Sequence, residues 1–259
     1  MDKRNLYNKL KGIPLGGFQF FDHTGSTNDV ALAWAAEGAH DLSLVYAEAQ
    51  SAGRGRGERH WFTGAGTGLA FSLVLRPLAG EAERSPLFSG LGALAVCTAL
   101  ERLGIHPGIK WPNDVLLNQK KVCGILVETV WIGEKADSIV LGIGLNVTPE
   151  AIPVNEDVLF PATSLEIELR KQVDRAALLK DILQALIHWR ERMLQADFMQ
   201  AWEARLSFRG EHVELQRRGS VPLRGQIAGL GFDGSLLLRD SDGVQTAIQF
   251  GEVHLRPVV

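Results

Sequence analysis

The sequence predicts an α/β protein: a large mixed-sheet domain with helices, then a small all-β domain. Three observations predict it. Helix and strand signals alternate through the first 206 residues. Beyond them come short strands spaced by Arg218-Gly219, Asp233-Gly234 and Asp242-Gly243, which are turn signals of an antiparallel barrel or sandwich. Finally, 259 residues with 46% hydrophobic and 22% charged content match ordinary globular composition, excluding disorder, collagen and a disulfide mini-protein. The boundary falls near Leu206–Gly210, giving domains 1–206 and 207–259.

Ser26-Thr27-Asn28-Asp29 precedes the apolar run Val30 to Ala36. A hydroxyl followed three residues later by an acid starts a helix, which stops near Gly38. Leu42 to Ala49 reads as a strand. Gln50 to Gly68 is a Gly/Arg-rich loop, longer than the roughly 12–15 residues of ordinary structureless connections, so functional or disordered. Leu69 to Leu75 is a strand. Ser85 and Pro86 supply an N-cap and first-turn proline for a helix running to about Leu103, stopped by Gly104. Strands follow at Gly108–Lys110, Val115–Leu117 and Val122–Val130, the last two joined by a turn at Asn118-Gln119-Lys120. Ser138 to Val147 is a strand whose Gly142 and Gly144 mark close approach of a ligand or another chain. After a loop from Thr148 to Pro161, Asp174 caps an amphipathic helix from Arg175 to Leu194, and Phe198 to Leu206 forms another. The small domain's strands are His212–Gln216, Leu223–Leu230, Ser235–Leu238 and Val244–Phe250.

A net charge of −3 argues against a general nucleic-acid binder. Cys97 and Cys123 give no disulfide framework, which fits a reducing cytosol. Met1 to Lys11 lacks the apolar core of a signal peptide, and no run approaches the roughly 18–20 apolar residues of a membrane span. A soluble, cytoplasmic protein without membrane partners is expected. The seven histidines are scattered without zinc spacing, and both the dinucleotide fingerprint and the GxxxxGK[ST] phosphate loop are missing.

Four motifs carry chemistry. Gly53-Arg54-Gly55-Arg56-Gly57-Glu58-Arg59-His60-Trp61 places three guanidinium groups on a flexible glycine scaffold, where planar forks can converge on one anion. Trp61 offers a flat face for a purine. The plain alternatives are a solvated loop or an RGG-like RNA-binding tract. Lys110-Trp111-Pro112-Asn113-Asp114 reads as a turn presenting a cation, an amide and a carboxylate, and Asp114 suits Mg²⁺. An ordinary turn around a packed tryptophan is the alternative. In Lys120-Lys121-Val122-Cys123-Gly124-Ile125-Leu126-Val127-Glu128, strand alternation puts Lys121, Cys123 and Ile125 on one face. Cys123 has no histidine nearby in sequence and reads as a buried thiol. Gly142-Ile143-Gly144-Leu145-Asn146-Val147 is the fourth.

With Ser26-Thr27-Asn28, these pieces resemble the biotin protein ligases in content and order, across roughly residues 13 to 259. Gly251-Glu252-Val253-His254-Leu255-Arg256 is similar to the ending of that family's small C-terminal SH3-like β-barrel. The resemblance implies a two-step reaction. Biotin and Mg-ATP give biotinyl-5′-AMP, and a lysine of the biotin carboxyl carrier protein of acetyl-CoA carboxylase then takes the biotinyl group. It also implies roles. Ser26, Thr27, Asn28, Gln50 and Gly53 bind biotin, walled by Gly124, Leu126 and Gly144. Arg54, Gly55, Arg56 and Lys121 surround its carboxylate and the α-phosphate, with Arg54, Arg56 and Lys121 catalytic. Arg59, Trp61, Lys110, Asn113, Asn146 and Arg256 join Arg54 and Arg56 on the ATP side, and Asp114 takes the metal.

The chain departs from the usual Arg-x-Gly-Arg continuation, because Gly57-Glu58-Arg59 sets an acid beside the cations. Only 25 residues precede Ser26, too few for a winged helix, so a monofunctional ligase that binds no DNA is expected. The resemblance allows a monomer or a homodimer paired by sheet edges. Two other readings are a lipoate ligase or octanoyl transferase, the latter working through Cys123, and a non-catalytic biotin-responsive binding module.

Overall fold

The computed structural model describes residues 1–57, 59–152, 160–217, 221–249 and 253–257, with residues 216, 217 and 253–257 described by backbone alone. Glu58, the Arg218-Gly219 turn, Phe250, Gly251, Glu252 and the Arg256 side chain lie outside the described residues.

The chain runs α1 (Lys3–Lys9), β1 (Gly17–Phe21), α2 (Thr27–Ala36), β2 (Ser43–Ala47), β3 (Gly68–Leu75), α3 (Leu87–Glu101), β4 (Gly108–Lys110), β5 (Asp114–Leu117), β6 (Lys120–Ile132) and β7 (Lys135–Asn146). Next come α4 (Leu165–Leu169), α5 (Arg175–Arg190), α6 (Ala196–Ala204), β8 (His212–Arg217), β9 (Leu223–Leu230), β10 (Leu236–Arg239), β11 (Gln245–Ile248) and β12 (Val253–Pro257). Seven strands form one mixed sheet in the order β1-β2-β3-β7-β6-β5-β4. Only β1 and β2 pair in parallel, because α2 carries the chain back across the sheet between them.

The two sheet faces differ, and that difference makes the site. On one face Leu141, Ile143 and Leu145 of β7 join Cys123 and Ile125 of β6 in the main core. Nearly every residue of α3 is buried there, as expected of a helix apolar all round. Each fully buried Leu or Phe contributes about 1.5–3 kcal/mol. On the other face α2 lays Ala31 and Ala35 on Val45, Val74 and Val140. Beside it the same alternation leaves Gly142, Gly144 and Asn146, which have little or no apolar bulk. The helix ends at Ala36, and Gly38 takes a left-handed φ of +89 just beyond, the conformation in which glycine terminates helices.

Strands β8 to β12 form an antiparallel sheet in the order β11-β10-β9-β8-β12. Its ladder runs open between β11 and β12 among the described residues, where a barrel was expected. The link into it is stitched to β4: Ile109 N–H donates to the Arg205 carbonyl and Ser207 N–H to that of Ile109. The main core continues into this sheet through Val213, Leu215, Ile227 and Leu236.

Several expectations need correction. Ser85 is not a helix cap: it has helical backbone after a short 3-10 turn, and α3 starts at Leu87. Helix α5 ends at Arg190, not Leu194; the Asp174 cap is as read, its carboxylate accepting from Ala176 and Ala177 N–H at 3.0 Å. Strand β1, α1 and α4 were not foreseen. Asn118 and Gln119 both take positive φ, the requirement of a two-residue hairpin turn between β5 and β6.

Candidate functional site

The Gly/Arg segment is not a free loop. Its backbone folds back as a narrow hairpin: Trp61 N–H donates to the Gly53 carbonyl at 2.8 Å and Gly55 N–H to that of Arg59 at 2.6 Å. Gln50 anchors its base by bridging Thr24 and Thr63. Gly53 is required here, since a Cβ would lie 2.3 Å from the Trp61 carbonyl oxygen.

The hairpin delivers Trp61 onto the sheet. Gly124 and Gly144 are cross-strand partners, and a Cβ on Gly144 would stand 2.3 Å from the indole Nε1. A Cβ on Gly142 would stand 2.0 Å from Asn28 Oδ1. The close approach expected from a ligand or another chain is therefore made by this chain's own Trp61 and Asn28. Leu126, half-buried, lies between them opposite Gly142.

At one end of this ledge sits a cationic cluster. The β5–β6 register pairs Val115 with Cys123 but Leu116 with Lys121, so Val122 is an extra residue, a β-bulge. Strict alternation placed Lys121 beside Cys123; the bulge instead turns it to the Gly124 face, where Nζ lies 2.6 Å from Asp114 Oδ1 and 5.4 Å from the Trp61 ring centre. The Lys121 backbone also pairs with Pro161 and Thr163. The Lys110–Asp114 segment is the turn between β4 and β5, with Trp111 buried and its Nε1 donating to the Gly234 carbonyl at 3.0 Å. Lys110 stacks 4.2 Å from the Phe160 ring centre and 3.9 Å from Asp114 Oδ2. Asn113 accepts from Arg56 Nη1 at 3.3 Å and donates to the Ile125 carbonyl at 2.7 Å.

The other end is polar and acidic. Gln50 Oε1 accepts the Thr27 N–H at 2.8 Å, meeting a first-turn donor of α2 while Ser26 makes no side-chain cap. Ser72 joins Thr27 and Asn28 at 2.8 and 2.6 Å. Asn28 Nδ2 donates to Glu128 Oε2 at 2.7 Å. Arg54 grips Glu128 with both terminal nitrogens, at 2.9 and 2.7 Å, and reaches Asp29 at 2.7 Å. Partial burial works to lower the guanidinium pKa, but these two carboxylates raise it above its ordinary value.

The structure thus gathers Arg56, Trp61, Lys110, Asn113, Asp114 and Lys121 at one end, with Thr27, Asn28, Gln50 and Arg54 at the other. Asn146 is buried at the end of β7, donating to the Thr163 carbonyl. Arg59 is exposed, its Nε bonded to the Arg56 carbonyl. Sequence reasoning gave no part in the site to Glu128, Asp29 or Ser72; a serine inside the apolar run Leu69 to Leu75 was the available signal. Cys123 is fully buried, and burial pushes its thiol pKa well up, so it packs rather than attacks.

Both Asp114 oxygens face lysines, and no three His, Cys, Asp or Glu side chains cluster as a metal site among the described residues. A single carboxylate already paired with two cations does not fit a resident dication. Also among the described residues, no helix is long and apolar enough to cross a membrane.

Residues 20–146 match the Biotin/lipoate A/B protein ligase family, and residues 208–256 match the Biotin protein ligase C terminal domain. The biotin--[acetyl-CoA-carboxylase] ligase of Paracoccus denitrificans is 37% identical over 231 residues, 86% of this chain and 94% of that one. The Mycobacterium tuberculosis enzyme of the same name is 34% identical, covering 99% of this chain and 96% of its own. Among solved structures, the Aquifex aeolicus biotin protein ligase in complex with biotin and ATP superposes with a TM-score of 0.80 at 30% identity, covering 93% of this chain and 99% of that one. A ledge of facing glycines, a lysine turned onto it and a matching pair of domains have one common explanation: the chain belongs to the biotin protein ligase family.

Proposed function

We propose that this protein activates biotin with ATP and transfers it to a lysine of the biotin carboxyl carrier protein of acetyl-CoA carboxylase. A biotin carboxylate oxygen attacks the α-phosphorus, the bond to the bridging oxygen breaks, and pyrophosphate leaves. The lysine amine then attacks the carbonyl carbon of biotinyl-5′-AMP; AMP leaves and the nitrogen loses a proton.

The observation that carries this reading is Lys121, aimed by the Val122 bulge at the Gly124–Gly144 ledge beside Trp61. The first step brings two anions together. A fixed cation at the reacting oxygens offsets that repulsion, and one such preorganised contact is worth about 3–4 kcal/mol. Arg56, held near Asn113, supplies a second cation at the same end. Ser26, Thr27, Asn28 and Gln50 bind the polar ring of biotin, with Gly124, Leu126 and Gly144 as wall. Arg54 and the Gly53–Gly55 backbone close over the carboxylate. Trp61, Asn113, Asn146, Lys110, Arg59 and Arg256 serve the nucleotide. Mg²⁺ enters on the triphosphate, whose oxygens are the hard donors it needs; Asp114 orients Lys121 rather than holding the ion. The reaction is cytoplasmic, and residues 1–206 carry the chemistry.

Mass spectrometry of a carrier domain incubated with this protein, biotin and Mg-ATP tests the reading. One added biotinyl group, dependent on ATP, is expected; an unmodified carrier refutes it. Lipoate or octanoate modified in place of biotin would favour the neighbouring enzyme class. Pyrophosphate release separates turnover from a purely binding role.

A further inference from the structure

We propose that Glu128 and Asp29 form a carboxylate latch that holds Arg54 until an anion enters the site, so that latch and substrate compete for one guanidinium. The inference rests on the proposed function for the identity of that anion, the biotinyl-adenylate phosphate.

The edge of Arg54 formed by Nη1 and Nη2 is the one that clasps a carboxylate or phosphate in two parallel bonds. Here Glu128 occupies it with both oxygens, and Asp29 takes a further contact from Nη2. Glu128 is a fixed seat. It stands on β6, and its Oε2 also accepts from Asn28, which is oriented by Ser72 and fills the space over Gly142. Arg54 is the movable partner, since it rides the hairpin between Gly53 and Gly55.

Charge makes the competition unavoidable. Two carboxylates around one guanidinium leave this end negative, which repels an incoming carboxylate or phosphate. The opposite end, with Lys110, Lys121 and Arg56 around Asp114, is positive. An anion therefore docks at the lysine end first. Arg54 reaches it only by leaving Glu128, and the freed carboxylates are exposed enough to hydrate, with side-chain exposures of 25% and 58%. When the competent state is only fractionally populated, apparent affinity falls by that fraction. Glu128 is thus a positioning residue that acts through Arg54.

The test is Glu128→Gln, which keeps size and the acceptor for Asn28 while removing charge. In ligand-free protein, trypsin should nick after Arg54, Arg56 or Arg59 several-fold faster than in wild type. Biotinyl-5′-AMP should dissociate roughly three- to tenfold more slowly. In an Arg54→Ala background the Glu128→Gln effect on dissociation should vanish, whereas a general charge effect would persist. Asp29→Asn, at an exposed position, should act in the same direction and serves if Glu128→Gln folds poorly. Faster or unchanged dissociation, unchanged nicking, or an equal effect without Arg54 overturns the latch. Absence of biotinyl-5′-AMP from wild type refutes the proposed function instead, and the nicking rates then still judge the latch.

Discussion

Two glycines face the same steric problem and should answer it differently. A Cβ on Gly144 would lie 2.3 and 2.4 Å from Trp61 ring atoms, and one on Gly90 would lie 2.3, 2.4 and 2.7 Å from Trp202. Ordinary carbon contact begins near ~3.5 Å, so each alanine overlaps an indole by more than ~1 Å. Trp202 is fully buried and packed edge-on against Phe198, with nowhere to go. Overpacking costs about 1–3 kcal/mol, and so deep an overlap takes the upper figure. Helix propensity returns up to ~1 kcal/mol for Gly→Ala. The net loss of ~2 kcal/mol corresponds to a Tm lowered by about 4–8 °C in a chain of this size. Trp61 is half-buried on the hairpin and can swing out. Gly144→Ala should therefore shift Tm by less than ~2 °C. It should nevertheless cut pyrophosphate release at least ~10-fold, because misplacing a site by ~1 Å costs up to ~100-fold. Calorimetry and a pyrophosphate assay on both variants decide it. Equal Tm losses, or a wild-type rate in Gly144→Ala, would refute the account of Trp61 as a movable lid on a glycine ledge.

Lys121→Ala should slow adenylate formation in single turnover by about 100-fold or more, with Asp114 left to Lys110 at 3.9 Å; a wild-type rate would remove Lys121 from the chemistry. Arg190 is buried between Asp41 and Glu81, bonding both at 2.8–3.2 Å; Glu81 is buried while Asp41 is 39% exposed, so Arg190→Leu strands Glu81 and should cost about 3 kcal/mol by urea titration. Glu48 sets a pH dependence. Burial works to raise its pKa, but the Tyr46 hydroxyl, the Met1 amine and Arg175 outweigh it and hold the folded value below 4.5. A depressed acid stabilises the fold above its unfolded pKa, so Tm should fall as pH drops through and below 4.5. Glu48→Gln should flatten that slope.

What could be read without coordinates was whatever depends on local rules. The Asp174 cap, the Asn118-Gln119 turn and the bare side of β7 follow from neighbours in sequence. The site residues were legible as types, because guanidinium groups, a lysine and glycines at close spacing have few other uses together. Their orientation was not legible. Lys121 faces the ledge only because one residue is left over in a pairing between two strands. The clasp of Arg54 on Glu128 joins positions 74 residues apart. Strand β1 was missed because Gly17–Phe21 is a half-buried edge without clean alternation. Ser85 looked like a cap because propensity ignores the 3-10 turn that precedes α3.

The extra residue at Val122 makes the relative length of β5 and β6, more than side-chain identity, the sensitive variable in this pair of strands. Inserting one residue between Val115 and Leu116 would give Val122 a partner, abolish the bulge, return Lys121 to the side of Cys123 and drive an ammonium against the underside of α3. Replacing Val122 by isoleucine would leave the count, and so the aim of Lys121, untouched. The β5–β6 pairing should therefore be permissive in spelling and intolerant of lengthening at Val115–Leu116, a pattern that a library of single-codon insertions would expose directly.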